Sequence, residues 1–178
     1  MSTELDRQHA WLTHEELGEV RGRVPILYVV AVPVRVDANG AVNRIGLLLR
    51  VSDTATMERE LVAGRVLYHE RIRDALLRHL EKDLGAVALP QVPASPTPFT
   101  VAEFFPTPGV TAFHDPRQHA VALCFIVPVA GDTAPQRDSL ELAWLTPHEA
   151  ASTDVAAEMA GGHGALLRQA LAHLGHAL

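Results

Sequence analysis

Two long apolar runs, Pro25–Val36 and Ala41–Val51, flank the tetrapeptide Asp37-Ala-Asn-Gly40, and this arrangement narrows the fold more than any other feature of the chain. Asn-Gly between β-branched stretches signals a tight hairpin turn, because both residues tolerate positive φ. Neither arm alternates apolar with polar residues, as a strand with one wet face does. Continuous apolarity instead predicts a sheet covered on both faces. The chain must then supply helices for two outer layers. At 178 residues and 48% hydrophobic content it has enough apolar material for one core of that kind.

The remaining elements follow from caps and periodicity. Thr13-His-Glu-Glu16 is a capping-box pattern that opens a helix to about Val20, with Trp11 where a hydrophobic staple would sit. Glu60–Ala63 reads as a short third strand. Glu70–Leu84 is the clearest helix: Ile72, Leu76, Leu80 and Leu84 recur every four residues beside Leu77, and Gly85 is a natural stop. Leu89–Pro98 is a Pro-rich surface loop. Strands at Phe99–Phe105 and His119–Val129 enclose the loop Pro106–Gln118, and the loop Gly131–Asp138 leads to a strand at Leu140–Leu145. Thr146-Pro-His-Glu149 is a second capping box with Pro at the first helical position. Helical stretches near Asp154–Ala160 and Ala165–Leu174 flank Gly161-Gly-His-Gly164. The predicted order is helix, three strands, helix, three strands, helices: a mixed sheet sandwiched by helices. One domain spans 1–178, with 1–23 a helical extension, 25–150 the core and 151–178 C-terminal helices.

Charge and cysteine content exclude several roles. A net charge of -6 argues against binding a nucleic-acid backbone, though a small phosphorylated ligand needs only a local basic pocket. The single cysteine, Cys124, lies in the apolar run Ala120–Val129 and reads as a small buried hydrophobe. Val24–Val34, the longest apolar stretch, is shorter than the roughly 20 residues that cross a bilayer. With a polar N-terminus, the expectation is a cytoplasmic protein without membrane contact.

Gly64, Glu70, Arg78, Leu80 and Gly85 are spaced as in G-x5-E-x7-R-E-U-x-E-E-x-G-U, where U is bulky and apolar, and Ala86 is a small version of the last position. This pattern resembles the Nudix box. Leu142-Ala-Trp-Leu-Thr-Pro-His-Glu149 is similar to the strand, Trp and helix start near the end of Nudix domains. The chain looks like a member of a divergent actinobacterial Nudix-like family with a degenerate box. The resemblance spans about Pro25–Ala150 and implies a Nudix-type α/β/α sandwich with a central mixed sheet. It also implies that Glu70 and Arg78 pair and fix the loop onto the helix.

In active relatives the box helix presents three glutamates to magnesium; the matching positions here are His79, Lys82 and Asp83. Magnesium prefers hard oxygen ligands, and a lysine ammonium repels it. At about 100° per residue, Glu81 points away from the face that carries these three and cannot substitute without a register shift. Over Arg65–Asp83, five bases (Arg65, Arg71, Arg73, Arg78, Lys82) meet four acids (Glu70, Asp74, Glu81, Asp83), so the acidic character of a metal box is gone. Magnesium or manganese is therefore a doubtful cofactor, with Asp83 and Glu70 as the remaining weak ligands. Lys82, Arg65 and Tyr68 are the candidate substrate contacts.

Each feature also has a plainer reading. His79 and Asp83, four apart, could share a transition metal, but a solvated or hydrogen-bonded pair is the simpler account. Tyr68, Phe105 and Phe113 could stack on a base, with core packing as the default. His114-Asp-Pro-Arg-Gln-His119 could border a cleft or be solvent-exposed turn chemistry. Asp132, Asp138 and Glu141 stand where some relatives place an extra acid, and His173 with His176 is too little for a metal site. Two functions stay open. One is a hydrolase of a nucleoside diphosphate linked to another moiety, acting on an acid anhydride, with weakened or lost metal-dependent catalysis. The other is a non-catalytic nucleotide- or small-phosphate-binding or regulatory domain. The partner in both is a small phosphorylated ligand, and homodimerisation is an expectation from the family alone.

Overall fold

A computed structural model describes residues 11–136 and 139–176. Asp138, residues 1–10 of the expected extension and residues 177–178 lie outside the described residues. The elements are α1 (His14–Arg21), β1 (Ile26–Val36), β2 (Val42–Val51), β3 (Met57–Glu60), β4 (Val62–Arg65), α2 (Ile72–Leu84), β5 (Thr100–Phe104), β6 (Ala120–Pro128), β7 (Ser139–Leu145), α3 (Pro147–Ala150), α4 (Thr153–Glu158) and α5 (His163–His173). The expected α/β/α sandwich is present. The predicted third strand is two strands, β3 and β4, which meet at Leu61, so four strands precede the box helix.

All seven strands join one mixed sheet, and β1 is its spine. It runs parallel to β6 from Ile26↔Ala120 to Val34↔Pro128. On its other edge it pairs antiparallel with β4, from Tyr28↔Arg65 to Ala31↔Val62. Only its last residues pair with β2, from Val34↔Ile45 to Val36↔Val42. The predicted hairpin is therefore real at its turn but splays beyond it. There Asp37 accepts hydrogen bonds from Asn39 N–H at 2.8 Å and Ala41 N–H at 3.0 Å, and Gly40 adopts φ 81°. Past the turn, β2 pairs instead with β7 and β3.

Alternate residues of β1 enter different cores, which is why the run needs no polar positions. Val30, Val32 and Val34 pack with Leu166, Leu167, Ala170 and Leu171 of α5. Val29 and Ala31 pack with Ala75, Leu76, Leu80 and Leu84 of α2. The Leu stripe thus faces the sheet, while Glu81 is exposed. Both capping boxes form, at Thr13 and at Thr146. Leu89–Pro98 is less of a surface loop than its prolines suggest: Gln91 N–H bonds the Pro128 carbonyl at 2.8 Å and Val92 is buried. No helix among the described residues is long and apolar enough to cross a membrane.

Leu80 is fully buried in the layer between α2 and the sheet. Leu80→Ala should cost about 2–5 kcal/mol in urea denaturation through lost transfer energy and the cavity left behind. Glu81→Ala, one residue along on the wet face, should stay within about 0.5 kcal/mol.

Candidate active site: the box helix and the adjoining cavity

The loop that links β4 to α2 is shaped by one ion pair. Arg78 Nε and Nη2 donate to the two Glu70 oxygens at 2.6 and 2.8 Å, and a further Arg78 Nη2 bond reaches the Arg65 carbonyl at 2.9 Å. Glu70 also accepts from Leu67 N–H at 2.9 Å. Burial opposes ionisation of this carboxyl, but the bonds from Arg78 and Leu67 prevail and hold its pKa below the ordinary value. The Trp11 ring lies 5.5 Å from the Arg78 guanidinium, so the residue expected to staple α1 instead rests on the box ion pair. Glu70 precedes the helix, which begins at Ile72, and His69 before it takes φ 60°.

His79 is buried, and its ring packs closely against Gly64. A Cβ built on Gly64 would stand 1.8 Å from His79 Cε1, so the glycine leaves the space that the ring fills. His79 Nε2 donates to the Arg65 carbonyl at 2.9 Å. Its buried Nδ1 has no hydrogen-bond partner among the described residues. Burial lowers the pKa of this imidazole.

Asp83 is also buried, and its Oδ1 is held by Arg50 Nη2 at 2.8 Å and by Lys82 Nζ at 3.1 Å. Its Oδ2 is buried without a hydrogen-bond partner among the described residues. The arrangement is neither a solvated His79–Asp83 pair nor a hydrogen bond between them: each is buried and bonded elsewhere. Arg50 also lies 3.6 Å from Glu60 and donates through Nε to Ser139 at 3.2 Å.

Beside this network, on the α5 side of the sheet, is a cavity of about 520 Å³. Its floor includes Val30, Ala63, Phe104 and Ala122, and Gly64 connects it to the box. Its charged lining residues are Arg50, Glu58, Glu60, Asp115 and Arg117. The loop His114–Gln118 forms one wall, so the bordering role is the one the fold adopts and the plain exposed turn is not. Asp115 binds Arg117 bidentately at 2.9 and 3.0 Å and accepts from buried Gln118 at 2.9 Å. Burial raises the pKa of Glu60.

A family described as "Domain of unknown function (DUF4916)" matches residues 7–176. The chain belongs to this family, and its fold is the Nudix fold. A solved structure from Jonesia denitrificans, described as a possible asymmetric diadenosine tetraphosphate hydrolase, is 63% identical; the match covers 86% of this chain and 97% of that one, with a TM-score of 0.84. The Nudix domain of Shewanella oneidensis NrtR, complexed with ADP ribose, is 17% identical with a TM-score of 0.60 over 97% of this chain and 99% of that one. A MutT/Nudix family protein from Enterococcus faecalis is 15% identical with a TM-score of 0.60 over 93% of this chain and 75% of that one. The last two likenesses concern fold alone. No curated protein matches the chain.

Nudix hydrolases generally use divalent metals, which makes the donor set at the box the decisive chemistry. Glu70 is committed to Arg78, and Asp83 already carries two cationic side chains on one oxygen. Among the described residues, the acceptors left open at the box helix are Asp83 Oδ2 and His79 Nδ1. This set does not fit magnesium, which needs several oxygen ligands and tolerates no ammonium against them. Among the described residues, no three His, Cys, Asp or Glu side chains gather to hold a metal ion.

The other sequence candidates disperse. Arg65 contributes its carbonyl to the box, and Tyr68 is 75% exposed with its ring on His69, so it is neither core nor cavity wall. Phe113 packs on Phe104 and Phe105 stacks on His119. Glu141 lies 3.8 Å from Arg59, Asp132 is exposed, and His173 lies against Phe99. Cys124 is fully buried, and burial pushes its thiol up to about 12. Sequence reasoning missed Arg50, Glu60 and His163. For Arg50 and Glu60 the available signal was a charge at the end of an apolar strand and an acid in a short one. For His163 it was its setting between glycines.

Two measurements probe this geometry. Gly64→Ala should destabilise the protein by about 1–3 kcal/mol in urea denaturation, because the new methyl overlaps the buried His79 ring, and His79→Ala in that background should recover part of the loss. The second concerns His163, whose pKa burial lowers from 6.5 to about 4. The unfolded chain then takes up this proton first, so stability falls as pH drops from about 6.5 towards 4, by on the order of 1 kcal/mol at pH 5. His163→Asn should remove that increment from the difference between urea unfolding at pH 7 and at pH 5.

Proposed function

We propose that this protein binds a nucleoside diphosphate linked to another moiety, and that its magnesium-dependent hydrolysis of that anhydride is weakened or lost. The observation that carries the reading is the pairing of Asp83 with both Arg50 and Lys82. Lys82 occupies a position that would carry a metal-binding glutamate. Cationic side chains there supply the charge complementarity that a metal gives to a diphosphate. The neighbouring cavity, of about 520 Å³, is the right size for a nucleotide-sized ligand. The ADP ribose bound by the Shewanella Nudix domain supports the ligand class as an analogy of fold. The second reading is an active hydrolase, favoured by the description of the 63% identical Jonesia protein.

A panel of nucleoside diphosphate sugars and dinucleoside polyphosphates, with magnesium, manganese or neither, separates the two. The proposal expects thermal stabilisation by at least one compound without metal, and little or no release of phosphate products. Rapid metal-dependent turnover would favour the second reading. In parallel, His79→Glu with Lys82→Glu should create or sharply increase magnesium binding in calorimetry, each restored carboxylate adding on the order of a few kcal/mol of local attraction. Sub-millimolar magnesium binding by the wild type, unchanged in the double variant, would show that the box still holds its metal.

A further inference from the structure

His163 opens α5 and lines the cavity. Its Nδ1 accepts the Leu61 N–H at 3.1 Å. A backbone N–H can only donate, so Nδ1 is the unprotonated nitrogen and Nε2 carries the hydrogen. The depressed pKa keeps this ring neutral at physiological pH. The fold therefore presents a donor of fixed tautomer and no charge. Gly162 brings the wall close here: a Cβ on it would stand 2.8 Å from both the Phe104 and Phe113 rings.

The charges around the cavity decide what such a donor can receive. Two cationic residues, Arg50 and Arg117, line it with three anionic ones, Glu58, Glu60 and Asp115. Arg117 is bound by Asp115, and Arg50 is shared between Asp83 and Glu60. No surplus positive charge faces the space, and a diphosphate placed inside would lie against carboxylates. A neutral donor, carboxylate acceptors and an apolar floor suit an uncharged polar ring system, whose oxygens and ring nitrogens accept and whose hydroxyl or amino groups donate. Lys82, 3.1 Å from Asp83, is not among the lining residues, so phosphates that meet it would lie outside the cavity.

Building on the ligand class proposed above, we infer that His163 is a ligand-binding residue that donates through Nε2 to the uncharged nucleoside part of the ligand, a base or sugar acceptor, and not to its phosphates. The test is calorimetry with adenosine, guanosine, cytidine and uridine, their 5′-diphosphates and inorganic pyrophosphate, on the wild type and His163→Asn. Asn keeps an acceptor oxygen for Leu61 N–H, and its shorter amide places no donor at the position of Nε2. At least one nucleoside should bind, and the variant should bind that nucleoside and its diphosphate at least tenfold more weakly, by the same factor. Pyrophosphate affinity should be unchanged. As a readout that needs no variant, the His163 Nε2 resonance of the wild-type protein should shift on adding the nucleoside and stay put with pyrophosphate. If diphosphates bind but nucleosides do not, or if the variant loses affinity for diphosphates alone, the inference is overturned while the ligand class stands. If neither nucleosides nor nucleotides of either panel bind, both fall together.

Discussion

The structure depends on β1 being buried on both faces and paired along both edges. Its parallel partner β6 and its antiparallel partners β4 and β2 leave no free edge, and its side chains alternate between the α2 layer and the α5 layer. Buried strands have no water to satisfy their backbone, so this full set of ladder bonds is what makes a polar backbone tolerable at the centre. The pairing of Tyr28 with Arg65 and of Val29 with Gly64 then places the start of the box against the middle of the sheet. Everything downstream in the box, from the Arg65 carbonyl that receives Arg78 and His79 to the entry of α2, inherits its position from that register.

Charge is distributed around this frame in closed pairs. Glu70 meets Arg78, Asp115 meets Arg117, and Asp83 meets Arg50 and Lys82. Buried ions are stable only when neutralised and hydrogen-bonded, so Asp83 cannot be considered apart from the basic residues against it. At the box helix this geometry holds two side-chain cations, Arg50 and Lys82, against one carboxylate oxygen of Asp83. The charges therefore fall in two places: Arg50 and Lys82 against Asp83 at the box, and a cavity beside it lined by two cationic and three anionic residues.

The apolar arms at 25–36 and 41–51, the Leu stripe of α2, the two capping boxes and the Gly64-Glu70-Arg78 spacing were all legible along the chain, because each depends on neighbours within a few residues or on a fixed period. The Glu70–Arg78 pairing was legible only through the family resemblance, since eight residues of loop and helix separate the partners. The loop 114–118 showed its polar residues but not its place, because a loop's position is set by the strands that carry it. Tyr68 could not be placed for the same reason, and it turned outward.

By itself, then, the sequence determined the sandwich of helices on a two-faced sheet, the frame of the box and the presence of His79, Lys82 and Asp83 along the box helix. The tertiary structure alone decided that β1 leaves β2 to pair with β4, that Arg50 from another strand claims Asp83, and that His163 from the C-terminal helix reaches the cavity with its tautomer set by Leu61. Arg50 lies 33 residues from Asp83, and His163 lies 102 from Leu61. Contacts over such separations follow from strand register and layer packing, which no local pattern encodes.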